Sequence, residues 1–343
     1  MTPFEPPITP MEARVRDALP PPPGWAYEPK WDGFRAVAWG GHDRLDSRKQ
    51  RPLLRYFPEL ASALSALPDG AVVDGEVVVV LQGATDFDAL QNRIHPAASR
   101  IALLAEQTPA QLVAFDLLAL DGQDLRTHPF AERRARLREL VGALPEPWHL
   151  TPSTTDVDEA ARWFTEFESA GCDGIVAKLL DGEYVEGERA MIKVKHRRTV
   201  DVVIGGYREH KDGGKIGSLL LGLYNAAGAL HFIGHCSGFG DANRVALLER
   251  LLPLREVSSF GEEARAPGGI SRWTGDKDLS WTPVRPELVC EVSYDQMTSQ
   301  TDSVRFRHAT RFERWRPDKD PPDCTMDQLE RPVGPGFHQV VVS

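Results

Sequence analysis

The sequence predicts an α+β protein of two domains, the second a small β-barrel of the OB type. Three observations carry that expectation. A chain of 343 residues, at about 150 residues per domain, is long enough for two. Up to residue 197, short apolar runs interleave with amphipathic helical patterns without strict βαβ alternation, which is the mark of an α+β layer architecture. Beyond it, short strand patterns with Gly-rich turns surround one helical pattern, as in a small barrel.

Residues 1–24 are proline-rich and close on Pro20-Pro21-Pro22-Pro23-Gly24. Proline lacks an N–H and fixes φ, so an extended lead-in is expected there. The first domain, 25–197, shows strands over 36–39, 71–81 and 112–120, rich in Val, Leu and Phe. Helical patterns cover 56–67, 87–94, 130–141 and 157–170. The last follows Thr154-Thr155-Asp156, suitable capping residues, and stops at Gly171. The second domain, 198–320, offers strands over 200–206, 217–224, 229–234 and 289–293, with a helix over 242–252. Residues 321–343 read as a surface tail with a final strand over 339–342.

Composition excludes several classes. No apolar run approaches the roughly 18 residues of a membrane span, and the first 17 residues lack the apolar core of a signal peptide. A soluble, intracellular protein is expected. The four cysteines, at 172, 236, 290 and 324, form no C-x-x-C pair, so neither a zinc knuckle nor a disulfide framework is expected. The net charge of −10 rules out a surface basic throughout, yet leaves room for local tracks. Residues 193–215 hold seven Lys/Arg against three acids, and 304–319 six against two. Such stretches suit a groove for phosphates.

No P-loop, G-x-G-x-x-G, H-E-x-x-H or G-x-S-x-G is present, so any phosphate chemistry runs on other residues. Lys30-Trp31-Asp32-Gly33-Phe34-Arg35 makes a K-x-D-G-x-R pattern at a strand-to-turn segment. Asp74-Gly75-Glu76 sits inside an apolar run, where a carboxylate needs a partner or a metal. Phe115 lies in another apolar run, and Asp173–Lys178 repeats an acid-Gly-apolar-Lys order. Lys193 and Lys195 share one face of a strand, because side chains alternate. Arg316-Pro317-Asp318-Lys319 stands near the end.

In order and residue type these segments resemble the covalent nucleotidyltransferases, specifically the ATP-dependent DNA ligases. The likeness spans about residues 25–320 and is nearest to the compact bacterial ligase C type, related to the ligase domain of ligase D. It implies an adenylation (nucleotidyltransferase, ATP-grasp-like) domain followed by an OB-fold barrel. Motif I resembles Lys30–Arg35, with Ser47-Arg48 after it; motif III resembles Asp74–Glu76 and motif IV Asp173–Lys178. Motif V resembles Lys193–Lys195 with Arg189 upstream, and motif VI resembles Arg316, Asp318 and Lys319. Asp173 stands where the family usually has Glu, and Met191 where it has Trp.

The resemblance implies a nick-sealing enzyme acting in DNA repair. Lys30 attacks the α-phosphorus of ATP to form lysyl-AMP, AMP passes to the 5′-phosphate of a nick, and the 3′-hydroxyl displaces it. A free lysine, with pKa about 10.4, is protonated at pH 7. Arg35, Lys193, Lys195, a bound metal and partial burial are each expected to favour the neutral amine. Lys193 and Lys195 are expected on the α-phosphate, Arg316 and Lys319 on the pyrophosphate, Glu28 on the adenine amino group and Phe115 on the ring. Arg35, Arg48 and Arg189 complete the nucleotide set. Glu76 and Asp173 are hard oxygen donors for Mg²⁺ or Mn²⁺. Arg208, Lys211 and Lys215 are candidates for DNA contact. The second domain is expected to close over ATP and then swing away. Nicked duplex DNA is the implied partner, with a primase-polymerase as helper. The alternatives are an RNA ligase, a capping-type guanylyltransferase, or a non-catalytic nucleic-acid-binding module.

Overall fold

The computed structural model describes every residue except 1, 96, 262–266, 268–279, 299–303, 330–332 and 343. The chain forms two compact units, Met1–His196 with Pro332–Ser343, and Arg197–Arg331.

In the first unit two sheets carry the structure. One runs Ala13–Val15, Met191–Lys195, Cys172–Leu179, Trp25–Trp31, with only the first pair parallel. The other runs Arg44–Ser47, Phe34–Trp39, Val72–Leu81, Ala110–Leu120, with Trp148–Leu150 parallel beside its last strand. The chain passes from one sheet to the other through Asp32-Gly33. Glycine is required at position 33 because an added Cβ would lie 2.3 Å from the Val77 carbonyl oxygen. Apolar strand faces and the Phe130–Gly142 helix enclose a core that includes Phe57, Leu60, Val77, Leu112 and Leu137.

In the second unit five antiparallel strands run Leu230–Cys236, Ile216–Tyr224, Arg198–Glu209, Val289–Tyr294, Arg311–Trp315. Thr310 bridges to Cys236, so the first and last strands meet and the sheet closes on a core of Val, Leu and Ile. The helix Asp241–Leu251 follows the strand Leu230–Cys236 in the chain. All four cysteines are buried free thiols. Among the described residues no helix is long and apolar enough to cross a membrane.

Three local expectations need correction. The helix over 56–67 is two short 3₁₀ turns and a five-residue helix, Ala61–Ser65, because Pro58 cannot donate within a continuous helix. Residues 1–24 are extended but not a free lead-in: Ile8 and Met11 are buried, and Ala13–Val15 pairs with the lysine-bearing strand. Residues 321–343 are not a surface tail. Cys324 and Leu329 join the core of the second unit, whereas Phe337 and Val340 are buried in the first. The strand over 339–342 is instead a helical turn, Phe337–Val340. Prolines exclude long helices here, but the apolar residues between them still gain by burial. The helix Ala98–Gln107 had no side-chain cap to announce it.

Candidate active site

The site builds outward from Lys30, near the end of the Trp25–Trp31 strand. Its ammonium lies 2.8 Å from one Asp173 oxygen, and the other Asp173 oxygen lies 2.9 Å from Lys195 Nζ. The antiparallel register sets Gly174 opposite Lys195, which brings motif IV and motif V candidates onto the same acid. Burial pushes the Lys30 pKa down, but Asp173 and Glu76 outweigh it, and the ammonium stands above the ordinary lysine value. Burial thus acts as expected, but the two acids, which the expectation left out, outweigh it. Arg35 does not act on Lys30 as a free cation, because it is bound to Asp74 at 2.5 and 2.7 Å. Burial, then Lys30 and Lys195, hold Lys193 below its usual value. Asp173 is pushed up by burial and pulled down further by its two lysines, ending below the ordinary carboxylate range.

Glu76 pairs in register with Arg35, and burial raises its pKa to about 8. Glu76 and Asp173 match a hard divalent cation in donor type, and the raised Glu76 is a carboxyl that such an ion would help to ionise. Among the described residues no three His, Cys, Asp or Glu side chains converge as a metal cluster. Two carboxylates with substrate phosphates and water are the usual Mg²⁺ set. Asp173 is meanwhile engaged by both lysines.

These residues open into a cavity of about 700 Å³ lined by Glu28, Lys30, Arg35, Arg48, Glu76, Phe115, Lys193 and Lys195, among others. Phe115 carries Arg35 4.7 Å and Lys178 4.8 Å from its ring centroid. Glu28 is ion-paired to Lys178 at 2.8 Å through one oxygen; the other lies 3.7 Å from Arg134 without a hydrogen bond among the described residues. Arg189 is mostly exposed and not part of the lining. It shares Glu12 with Arg48, at 3.6 and 2.5 Å respectively.

In the second unit Arg316 grips Asp201 through two 2.8 Å hydrogen bonds and also bonds Asp318, while Lys319 lies 3.4 Å from Asp201. Arg208 sits on the strand opposite Ser218, and Lys211 is exposed in the following turn. Lys215 is paired with Asp241 at 3.2 Å.

Sequence reasoning missed Glu12, Arg134, Tyr184 and Asp201. Tyr184 donates to Asp74 at 2.6 Å and accepts from the Met11 amide, fixing the acid that holds Arg35. Glu12 lies 36 residues from Arg48, and Asp201 lies 115 from Arg316. No local pattern marks such pairs.

A family model described as the ATP dependent DNA ligase domain matches residues 11–195, and one for the ATP dependent DNA ligase C terminal region matches 212–319. The chain is 49% identical over 346 residues to DNA ligase C2 of Mycolicibacterium smegmatis, covering 96% of each. It is 46% identical over 359 residues to DNA ligase C of Mycobacterium tuberculosis, covering 99% of this chain and 98% of that one. A solved structure of a Lig E DNA ligase shares the fold, with a TM-score of 0.54 and 18% identity over 85% of this chain and 93% of that chain. By these matches and the motif order along its cavity, the chain belongs to the ATP-dependent DNA ligases.

Proposed function

We propose that this ATP-dependent ligase seals nicked duplex DNA, in repair, through a phosphoramidate on Lys30. The observation that carries the reading is the Lys30 amine, set in one cavity with Glu76, Lys193, Lys195 and Phe115. In the first step Lys30 Nζ forms a bond to the α-phosphorus of ATP. The bond from that phosphorus to the bridging oxygen breaks, pyrophosphate leaves, and the amine sheds its proton. Such a transfer mainly needs in-line placement and charge neutralisation.

Phe115 supplies a face for the adenine, and the Glu28 oxygen that faces Arg134 without a hydrogen bond accepts from its amino group. Lys193 and Lys195 take the α-phosphate, and Arg48 and Arg189 offer further cations at the rim. Arg316 and Lys319, pre-arranged on Asp201, orient the pyrophosphate. Asp173, 2.8 Å from the Lys30 ammonium, becomes the more basic once phosphate draws Lys195 away from it, and it accepts the Lys30 proton as the N–P bond forms. A bound Mg²⁺ or Mn²⁺ would supply charge that neutralises phosphate oxygens beside Glu76 and Asp173. AMP then passes to the nick 5′-phosphate, and the 3′-hydroxyl displaces it. In this reading the enzyme is a cytoplasmic monomer working on the nucleoid, with a primase-polymerase as helper.

The test is incubation with α-³²P-labelled ATP or GTP without DNA. Label from ATP is expected on the denatured protein and chases onto a nicked duplex. Label from GTP alone, or from neither, overturns the reading.

The loop with Lys211 and Lys215 is part of the proposed DNA track. Replacing both by alanine should lower the slope of log affinity for a nick against log salt by about one to two units. An unchanged slope removes the loop from the interface.

A further inference from the structure

Strand alternation turns Lys30 toward the cavity and its neighbour Trp31 to the opposite face. There Trp31 is 3% exposed and donates from Nε1 to Thr151 Oγ1 at 2.9 Å. It meets Phe337 edge to face, with centroids 5.3 Å apart. On the adjacent strand, Cys172 precedes Asp173 and is the register partner of Trp31. Trp31, Cys172, Phe337, Val340 and Val341 form one buried apolar cluster. The backbones on both sides of the Lys30–Asp173 ion pair are therefore packed from behind against the same C-terminal segment.

The strand ladder alone does not fix that pair. Register shifts between Cys172 and Ile175, leaving Asp173 and Gly174 outside the regular pairing with the Lys30 strand. Gly174 holds φ at 151°, where an added Cβ would lie 2.0 Å from the Val194 carbonyl oxygen. Such a bulge re-aims a side chain, which leaves the Asp173 carboxylate open to what packs behind its strand. The segment is itself well tied. The Phe337 amide donates to the Gly83 carbonyl at 2.6 Å, Val342 and Leu150 exchange two 2.9 Å hydrogen bonds, and Ser169 Oγ donates to the Pro335 carbonyl at 2.8 Å.

We propose that Phe337 is a positioning residue for the adenylation step, a wedge whose packing on Trp31, within the cluster that also holds Cys172, sets Lys30 and Asp173 in reacting geometry. The inference rests on the reading of Lys30 as nucleophile. Phe337 is not among the residues that line the cavity. Its removal leaves a void behind both strands, and displacement of a nucleophile by about 1 Å is enough to cost up to two orders of magnitude in rate.

The experiment is single-turnover adenylation of the full-length protein by α-³²P-ATP, in wild type, Phe337→Ala and Phe337→Leu. Two numbers are read: the maximal rate constant, which is independent of the folded fraction, and the half-saturating ATP concentration. Phe337→Ala is expected to lower the maximal rate constant by about 10- to 100-fold, with half-saturation within about twofold of wild type. Phe337→Leu, which restores buried volume, is expected to recover most of the rate. A purely stabilising residue would lower the labelled fraction and leave the rate constant of the folded molecules unchanged; that result overturns the proposal, as does weaker ATP binding alone. Should the alanine variant fail to fold, Phe337→Met is read in the same way. Wild-type protein that takes up no AMP would instead sink the underlying reading of Lys30.

Discussion

Protein carrying Lys30→Ala takes up no AMP from ATP, a loss expected to exceed about 10⁴-fold because the bonding atom itself is removed. The neighbouring lysines do not replace it. Lys195 is committed to Asp173 at 2.9 Å, and Lys193 is placed on the next outward position of a different strand. Lys30→Arg fails equally, since a guanidinium stays protonated and offers no nucleophilic lone pair at any working pH. The fold survives, because Asp173 retains Lys195 as a partner. A nick that already carries AMP on its 5′-phosphate needs no lysyl intermediate, so the variant should still seal it. Measurement of covalent label beside sealing of a pre-adenylated nick separates a lost nucleophile from a lost fold. Residual labelling of the alanine variant would move the nucleophile elsewhere.

Glu76→Gln should stabilise the metal-free protein at alkaline pH. The Glu76 carboxyl goes from an unfolded value of 4.5 to about 8 when folded, so the folded state binds the extra proton between those values. Stability therefore falls as pH rises across that window, and the penalty is complete above about 8. At about 1.36 kcal/mol per pKa unit the cost has a ceiling near 5 kcal/mol. Glutamine has no such titration. In thermal melts with chelator, the variant should match wild type near pH 5 and exceed it by several degrees at pH 8.5. A melting difference that stays constant with pH would mean that Glu76 is ionised throughout. The same variant should adenylate poorly, since the strained carboxyl is then a cost carried for function.

What was legible in the sequence was local. Lys30, Asp32-Gly33 and Arg35 fall within six consecutive positions, and Lys193 and Lys195 sit two apart on one strand. Residue type and spacing suffice for such groups, and the cavity unites them. The partners were not legible. Arg35 reads as a cation that would discharge its neighbour lysine, yet Asp74, 39 residues away, neutralises it. That Asp173 sets one oxygen on Lys30 and the other on Lys195 was not legible either. The tail failed for a related reason. Phe337 finds its cavity against Trp31, some three hundred residues earlier in the chain, and no periodicity reports an anchor of that span.

The split of the C-terminal segment between the two units has a mechanical consequence. Unit Arg197–Arg331 is joined to the other at both of its ends, as a loop is, and not as a pendant on one cord. Leu329 is anchored in one core and Phe337 in the other. The eight peptide steps between them, fully drawn out, reach at most about 29 Å. While both anchors stay seated, Leu329 and Phe337 therefore come no farther apart than that length of chain.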